Sequence, residues 1–313
     1  MSNFLAYIEQ NPQNNKRLIG LEYEQLQQLI EQAQLLHRNK QVEIEKTKVR
    51  IIKGGGGRKA KLSINEQIIL TLVYLHHLPT FQMLGIQFGV SESTANDIFH
   101  YWSELLRELL PASLLEQVKK NANEYEWVQE VLANQELIVD SCEQPRQRPQ
   151  KYEEQKKFYS GKKKNHTLKN PFIVTPNGQE IVDVTVGKPG PTSDINIWRE
   201  GQSKLGCHQK FKGDKAYRGE PQIETPHRKR KHQELSSEKK EQNREKASQR
   251  IFVEHVIRLV KIFRVAQERF RLRIENYQKV ILTICGLVRL RIGALCLKSE
   301  TSKKEVEIVE IYG

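Results

Sequence analysis

Three carboxylates stand where acidic side chains need an explanation. Asp140 closes the apolar run Leu137-Ile138-Val139, and a carboxylate there costs several kcal/mol, as an order of magnitude, if it is buried unpaired. It must find a counter-charge, reach solvent at a strand end, or bind a cation. Asp214 stands likewise where the strand-like Lys210-Phe211-Lys212 gives way to a turn at Gly213. Glu254 is the one acid between Gln249 and Arg264, among four basic residues. At about 100° per residue, Arg250, Glu254, Arg258, Lys261 and Arg264 form one stripe of a helix. Phe252, Val253, Val256, Leu259, Val260 and Phe263 fill the opposite side, which predicts a packed face beneath a cationic one.

Such a set suggests phosphodiester chemistry. Neighbouring strands lie about 4.8 Å apart, so two aspartates at strand ends could share a hard divalent ion. A third carboxylate from a helix would complete a site for two ions about 3.5–4 Å apart, able to activate a water or hydroxyl and steady the leaving oxygen. The cations around Glu254 would then meet the negative strand being cut. The plain alternative is an i,i+4 ion pair from Glu254 to Arg258, worth about 0.2–0.5 kcal/mol.

The elements that must position these residues fall into zones. Leu26, Leu29, Ile30, Ala33 and Leu36 recur at helical spacing, giving a helical segment over residues 1–52. A Gly-rich basic linker over 53–62 follows; its Arg58-Lys59 and the lack of a preceding strand exclude a phosphate-binding P-loop. Ser63 and Glu66 form a capping box. The helix they open stops before Pro79. Gly85, Gly89, Val90, Ala95 and Ile98 fit a helix-turn-helix, assigned to residues 63–125. Ser91 is the expected N-cap of its second helix, leaving Ser91, Ser93, Thr94 and Asn96 at an exposed start, the part that meets base edges in DNA-binding examples. From about residue 130 to 300 the period changes. Three strands, a helix near Ser193-Asp194, a fourth strand before Asp214, a basic loop and long helices make a mixed α/β domain, with residues 301–313 as a tail.

Composition narrows the partner. Lys plus Arg is 51 against 38 Asp plus Glu, a formal net charge of +13, which points to a polyanion, nucleic acid before membrane. The longest apolar run, Val280–Val288, is far too short to span a bilayer. Cys142, Cys207, Cys285 and Cys296 have no zinc-ligand spacing and suggest free thiols in a reducing cytoplasm. Lys162, Lys163 and Lys164 precede a strand and are candidate phosphate contacts.

The chain resembles the insertion-sequence transposases of the DDE superfamily, in the branch related to Harbinger-type transposases. The motifs are GRKAKLS with IQFGVSEST, then VDSCEQPRQRP, YSGKKKNHTLK, GDKAYRG and NREKASQRIFVEHVIRLVKIFR, in the family's order. The last carries Arg-x3-Glu-x6-Lys as Arg250, Glu254 and Lys261. The resemblance implies a ribonuclease-H-like catalytic domain behind an all-α helix-turn-helix domain. Asp140, Asp214 and Glu254 would be its catalytic, metal-holding residues, with Asp194 a rival for the second position. It implies two Mg²⁺ ions, with Mn²⁺ as a substitute, acting on double-stranded DNA at the element's ends. A freed 3′-OH would then be joined to target DNA by an assembly of at least two copies, in the cytoplasm at the nucleoid. Two departures stand out: Ala247 where relatives often carry Tyr, and Asp140-Ser141-Cys142 where Asp-Gly-Thr is common. A non-catalytic DNA-binding descendant and a nuclease that cuts without joining are the competing readings.

Overall fold

The computed structural model describes residues 4–47, 59–201, 205–206, 208–229 and 234–297. Residues 53–58 of the expected linker, Cys207 and the tail at 301–313 lie outside the described residues. The chain divides into two compact units, residues 1–110 with 295–313, and residues 111–294. Residues 111–125, expected with the helix-turn-helix, belong to the second unit, and residues 1–52 share the first unit with it.

The first unit is helical: α1 (Phe4–Gln10), α2 (Asn15–Leu18), α3 (Tyr23–Thr47), α4 (Ile64–His77), α5 (Phe81–Phe88) and α6 (Glu92–Leu109). Ser63 and Glu66 form the capping box that starts α4. Of the heptad-like residues in α3, Leu26, Leu29 and Ala33 are buried. Gly89, at φ 68°, ends α5 in the left-handed conformation that glycine tolerates. A Cβ on Gly85 would stand 2.7 Å from the Val90 carbonyl oxygen, so only glycine lets α5 lie so close to the turn. Ala95, Phe99, Trp102 and Leu106 bury the inner face of α6.

The second unit starts with α7 (Leu114–Val118) and α8 (Ala122–Ala133) and is built on a mixed sheet. Its strands are β1 (Glu136–Pro145), β2 (Tyr159–Ser160), β3 (Asn165–Val174), β4 (Ile181–Val184), β5 (Lys188–Pro189), β6 (Lys210–Lys212) and β7 (Ile223–Glu224). The remaining helices are α9 (Tyr152–Phe158), α10 (Asp194–Gly201), α11 (Ser237–Lys261), α12 (Arg264–Gln267) and α13 (Tyr277–Arg291). β4, β3 and β1 are antiparallel neighbours, and β6 and β7 continue the sheet parallel to β1. This is a ribonuclease-H-like arrangement.

Period 2 in β1 sends Leu137 and Val139 to one face and Ile138, Asp140 and Cys142 to the other. The first face joins a core with Leu115, Val118, Val128, Leu132, Phe211 and Tyr217, supplied by α7, α8, β6 and the turn after it. Trp198 of α10 packs edge-on against Phe211 there, with ring centroids 4.5 Å apart. α11 packs against β1 and β3, and α13 against α11 and β4.

Several expectations give way. Asp140 does not end its strand: β1 runs five residues further, still paired antiparallel with β3. β2, β5 and β7 are two-residue strands too short to carry a hydrophobic period. α11 ends at Lys261, so Arg264 belongs to α12 and leaves the cationic stripe. Phe252 is exposed while Ile257 is buried, a rotation of the apolar face away from the expected arc. His255, at the edge of that arc, is exposed as well.

Candidate active site

The parallel pairing of β1 with β6 matches Glu136 to Lys210, Leu137 to Phe211 and Ile138 to Lys212. Two residues beyond the last pair, on each chain, stand Asp140 and Asp214. The ladder thus carries both aspartates to the same end of the β1–β6 pair, where both line one cleft. Gly213 makes the path to Asp214 possible, since a Cβ there would meet Ile223 at 2.9 Å and Tyr217 at 3.0 Å. Asp214 then caps the 3₁₀ turn Lys215–Tyr217, its Oδ1 accepting from the Ala216 N–H at 2.8 Å.

Glu254 reaches the same place from α11, which lies over the Asp140 face because Val253, Val256, Ile257 and Val260 are buried beneath it. Asp140, Asp194, Asp214 and Glu254 all line one open cleft, together with Lys162, Lys163, Lys169, Arg258 and Lys261. Burial holds the Asp140 carboxyl above the usual carboxylate range. The Ser141 N–H (2.8 Å) and Arg250 pull it back down, and the charges of Asp214 and Glu254 push it up. Arg250 Nη2 sits 3.6 Å from Asp140 Oδ2 and 3.7 Å from Glu254 Oε1. Glu254 thus pairs with the arginine one turn before it, whereas the plain reading of the helix had favoured Arg258.

Among the described residues no three acidic, histidine or cysteine side chains already stand close enough to hold one ion. The donor set nonetheless suits a hard divalent cation: carboxylate oxygens, one of them largely buried, around a point where a guanidinium now supplies the positive charge. Asp194 differs. Its carboxylate accepts from Ser141 Oγ and pairs with the buried Lys169 ammonium at 3.3 Å, and Lys169 also donates to the Thr192 carbonyl at 2.8 Å. Its charge is already matched, whereas Asp214 faces no cation partner among the described residues.

Sequence reasoning missed Lys169, Ser141 and Tyr217. Lys169 could have been noticed as a lysine inside an otherwise buried strand. Tyr217 is 1% exposed, and its hydroxyl has no partner among the described residues. Burial, then Asp194, Asp140 and Asp214, raise its pKa far above that of an ordinary phenol, so it stays neutral. Cys142 lies near the same cluster, but burial pushes its thiol up to about 11, so it is a poor ligand or nucleophile at neutral pH.

The other expected contacts divide. Lys162 and Lys163 line the cleft; Lys164 is exposed next in sequence, at φ 48°. Arg250 is mostly buried, Arg258 exposed and Lys261 half-buried. In the first unit Ser91 caps α6 by accepting from the Thr94 N–H, and its hydroxyl also meets those of Ser93 (3.0 Å) and Thr94 (2.8 Å). These three are exposed, and Asn96 is half-buried behind them.

Comparison with known proteins agrees with this layout. Residues 139–289 match a family described as a DDE superfamily endonuclease, and residues 60–112 match the helix-turn-helix of DDE superfamily endonuclease. A "Probable transposase for insertion sequence element IS702" from Microchaete diplosiphon is 32% identical over 225 residues, 71% of this chain and 78% of that protein. Among solved structures, "Crystal structure of a pre-cleavage Mos1 transpososome" aligns at 11% identity over 81% of this chain and 83% of that one. Its TM-score of 0.19 is too low to bear on the fold.

Proposed function

The chain belongs to the DDE superfamily of insertion-sequence transposases, and from that premise we propose that it cuts double-stranded DNA at its own element's ends and joins the freed 3′-OH to target DNA. Asp140, Asp214 and Glu254 would hold two Mg²⁺ ions, or Mn²⁺ in their place. When bound, these ions supply a nucleophile activated at neutral pH and neutralise the charge that builds on the leaving oxygen.

The chain's own residues do the rest. Water attacks the scissile phosphorus and the 3′-oxygen leaves with a proton. That hydroxyl then attacks a target phosphodiester, so one such bond forms as another breaks and no external energy source is needed. Arg250, Arg258 and Lys261 on α11, with Lys162, Lys163 and Lys164 across the cleft, hold the phosphates in line. Arg250 lies between Asp140 and Glu254, where it would balance their charge in the absence of cations and stand beside the strand. Ser91, Ser93, Thr94 and Asn96 at the start of α6 meet base edges in the major groove. Pairing of two ends calls for at least two copies. The observation that supports this reading is the β1–β6 pairing, which ends two residues short of both Asp140 and Asp214, with Glu254 lining the same cleft.

The test is incubation with DNA carrying the element's ends, in Mg²⁺ or EDTA. Metal-dependent cuts at the ends, with joined products, are expected. Asp140→Asn and Glu254→Gln should bind these ends as tightly as the parent and lose cutting by at least about 10³-fold, the scale on which losing a central catalytic group acts. Binding without cutting by the parent, in Mn²⁺ as well, would leave a DNA-binding descendant; cuts without joints would leave a nuclease.

A further inference from the structure

Outside the cleft, two extended segments of the second unit lie side by side and carry arginine at alternate positions: Arg146 and Arg148 after β1, and Arg269, Arg271 and Arg273 after α12. Arg146 bridges to Phe270, and the Phe270 N–H donates to the Pro145 carbonyl at 2.9 Å. Gln144 fixes the second segment by donating to the carbonyls of Val265 (2.6 Å) and Glu268 (3.0 Å). Phe270 is buried, stacked edge-on against Tyr277, so alternation turns Arg269, Arg271 and Arg273 outward, and all three are exposed.

The first segment is braced as firmly. Arg146 lies over the Phe158 ring, 4.4 Å from its centroid. Arg148 donates twice to Gln155 Oε1 (3.1 and 2.8 Å), a neutral acceptor that orients the guanidinium and leaves its charge uncancelled. Among the described residues Arg148, Arg269 and Arg273 form no ion pair. Glu154 and Glu275 line the groove between the segments, against Arg146, Arg148, Lys151 and Arg273. Burial, then Arg148 and Arg146, hold His166 below the ordinary imidazole value, so the positive field reaches β3. From there the Gly161–Lys164 turn leads back to the cleft, where Lys162 and Lys163 stand.

We propose that this arginine ridge is a second DNA-backbone track, holding phosphates of the duplex flanking the cut. It rests on the functional reading above. Six residues of extended chain separate Asp140 from Arg146, about 20 Å. That is on the order of six base pairs of duplex. A row of guanidiniums beside an extended backbone, with Arg148, Arg269 and Arg273 in no ion pair among the described residues, suits phosphates, which arginine grips in two-pronged fashion.

The full-length chain is compared with the triple variant Arg148→Gln, Arg269→Gln, Arg273→Gln and with the same three positions changed to Lys. Binding to end-bearing duplex is followed against salt in EDTA, where no cutting occurs. The Gln variant should lower the magnitude of the log K against log[salt] slope by about 0.9 per lost contact, nearly three in all. It should also lose backbone protection about six base pairs from the cut while keeping protection at the cut. The Lys variant should keep most of the slope. If the triple Gln variant melts early, Arg273→Gln alone must lower the slope by about 0.9. An unchanged slope overturns the ridge, as does a changed oligomeric mass with the slope intact, which would make this face a contact between copies. Failure of the parent to cut in Mg²⁺ counts against the functional reading and leaves the slope comparison standing.

Discussion

Asp140 and Arg250 set the acid limit of the proposed chemistry. The carboxyl must be ionised to receive a cation, and burial raises its pKa, so cutting should fall away at a higher pH than an ordinary carboxylate near 3.9 would dictate. Arg250 works the other way by favouring the charged form. Arg250→Gln should therefore move the acid limb of a single-turnover pH profile upward at fixed Mg²⁺; an unmoved or lowered limb would contradict the pairing. The same carboxylates predict protection by ligand. Mg²⁺ at about a hundred times its dissociation constant should stabilise the folded chain by about 2.7 kcal/mol, seen as a raised melting temperature. Asp140→Asn should lose most of that rise, because the divalent ion loses a charged donor. The type and spacing of the three acids were legible in the sequence. Which basic residue Glu254 would choose was not, because Arg250 is drawn inward by Asp140, 110 positions away along the chain.

Elements show where periodicity works and where it runs out. α6 buries a regular set of apolar residues, and α4 and the start of β1 bury continuous apolar runs, so their existence could be read directly. β7 has two residues and offers nothing to count, yet it completes the parallel half of the sheet. The first half of α11, Ser237 to Gln249, is mostly exposed and polar but for Ala247, so no apolar stripe betrayed it. The Gly85 contact was visible only as a small residue before a turn. Alanine is the better helix former by about 1 kcal/mol, so Gly85→Ala would stabilise α5 if space allowed. With a backbone oxygen 2.7 Å away, overpacking of about 1–3 kcal/mol should win. Lower stability of the first unit and weaker binding to the element's ends should follow, measured by thermal melting and gel shift.

At the scale of the whole molecule, two compact units should unfold as separable steps. Arg289 offers a way to see this, since it is fully buried and spends all its donors inside the second unit. It meets Glu180 through two bonds (2.6 and 2.8 Å), the carbonyls of Pro111 (2.9 Å) and Ser113 (3.2 Å), and Gln117 Oε1 (2.8 Å). Arg289→Ala strands a half-buried carboxylate and should cost about 3–5 kcal/mol. In calorimetry it should move the transition of the second unit and spare that of the first; one merged, uniformly shifted transition would refute the division. Nothing local in the sequence singled out Arg289, whose partners come from segments about 110 and 170 positions upstream. The net charge, by contrast, was plain from composition, and the mixed α/β order needed only the longer strands. No helix among the described residues is long and apolar enough to cross a membrane.

The ladder between β1 and β6 also says how such an element would lose its mobility by mutation. Because alternate residues of β1 look to opposite sides of the sheet, removal of any one codon from Leu137 to Val139 slips the frame of the strand. Asp140 would then face the apolar core, and Ser141 would look into the cleft. A missense change among those three residues alters packing and leaves the carboxylate pointing at its partners. Copies of the element decaying in a genome should thus tolerate many substitutions across this stretch, yet be silenced by a single three-base deletion that preserves the reading frame.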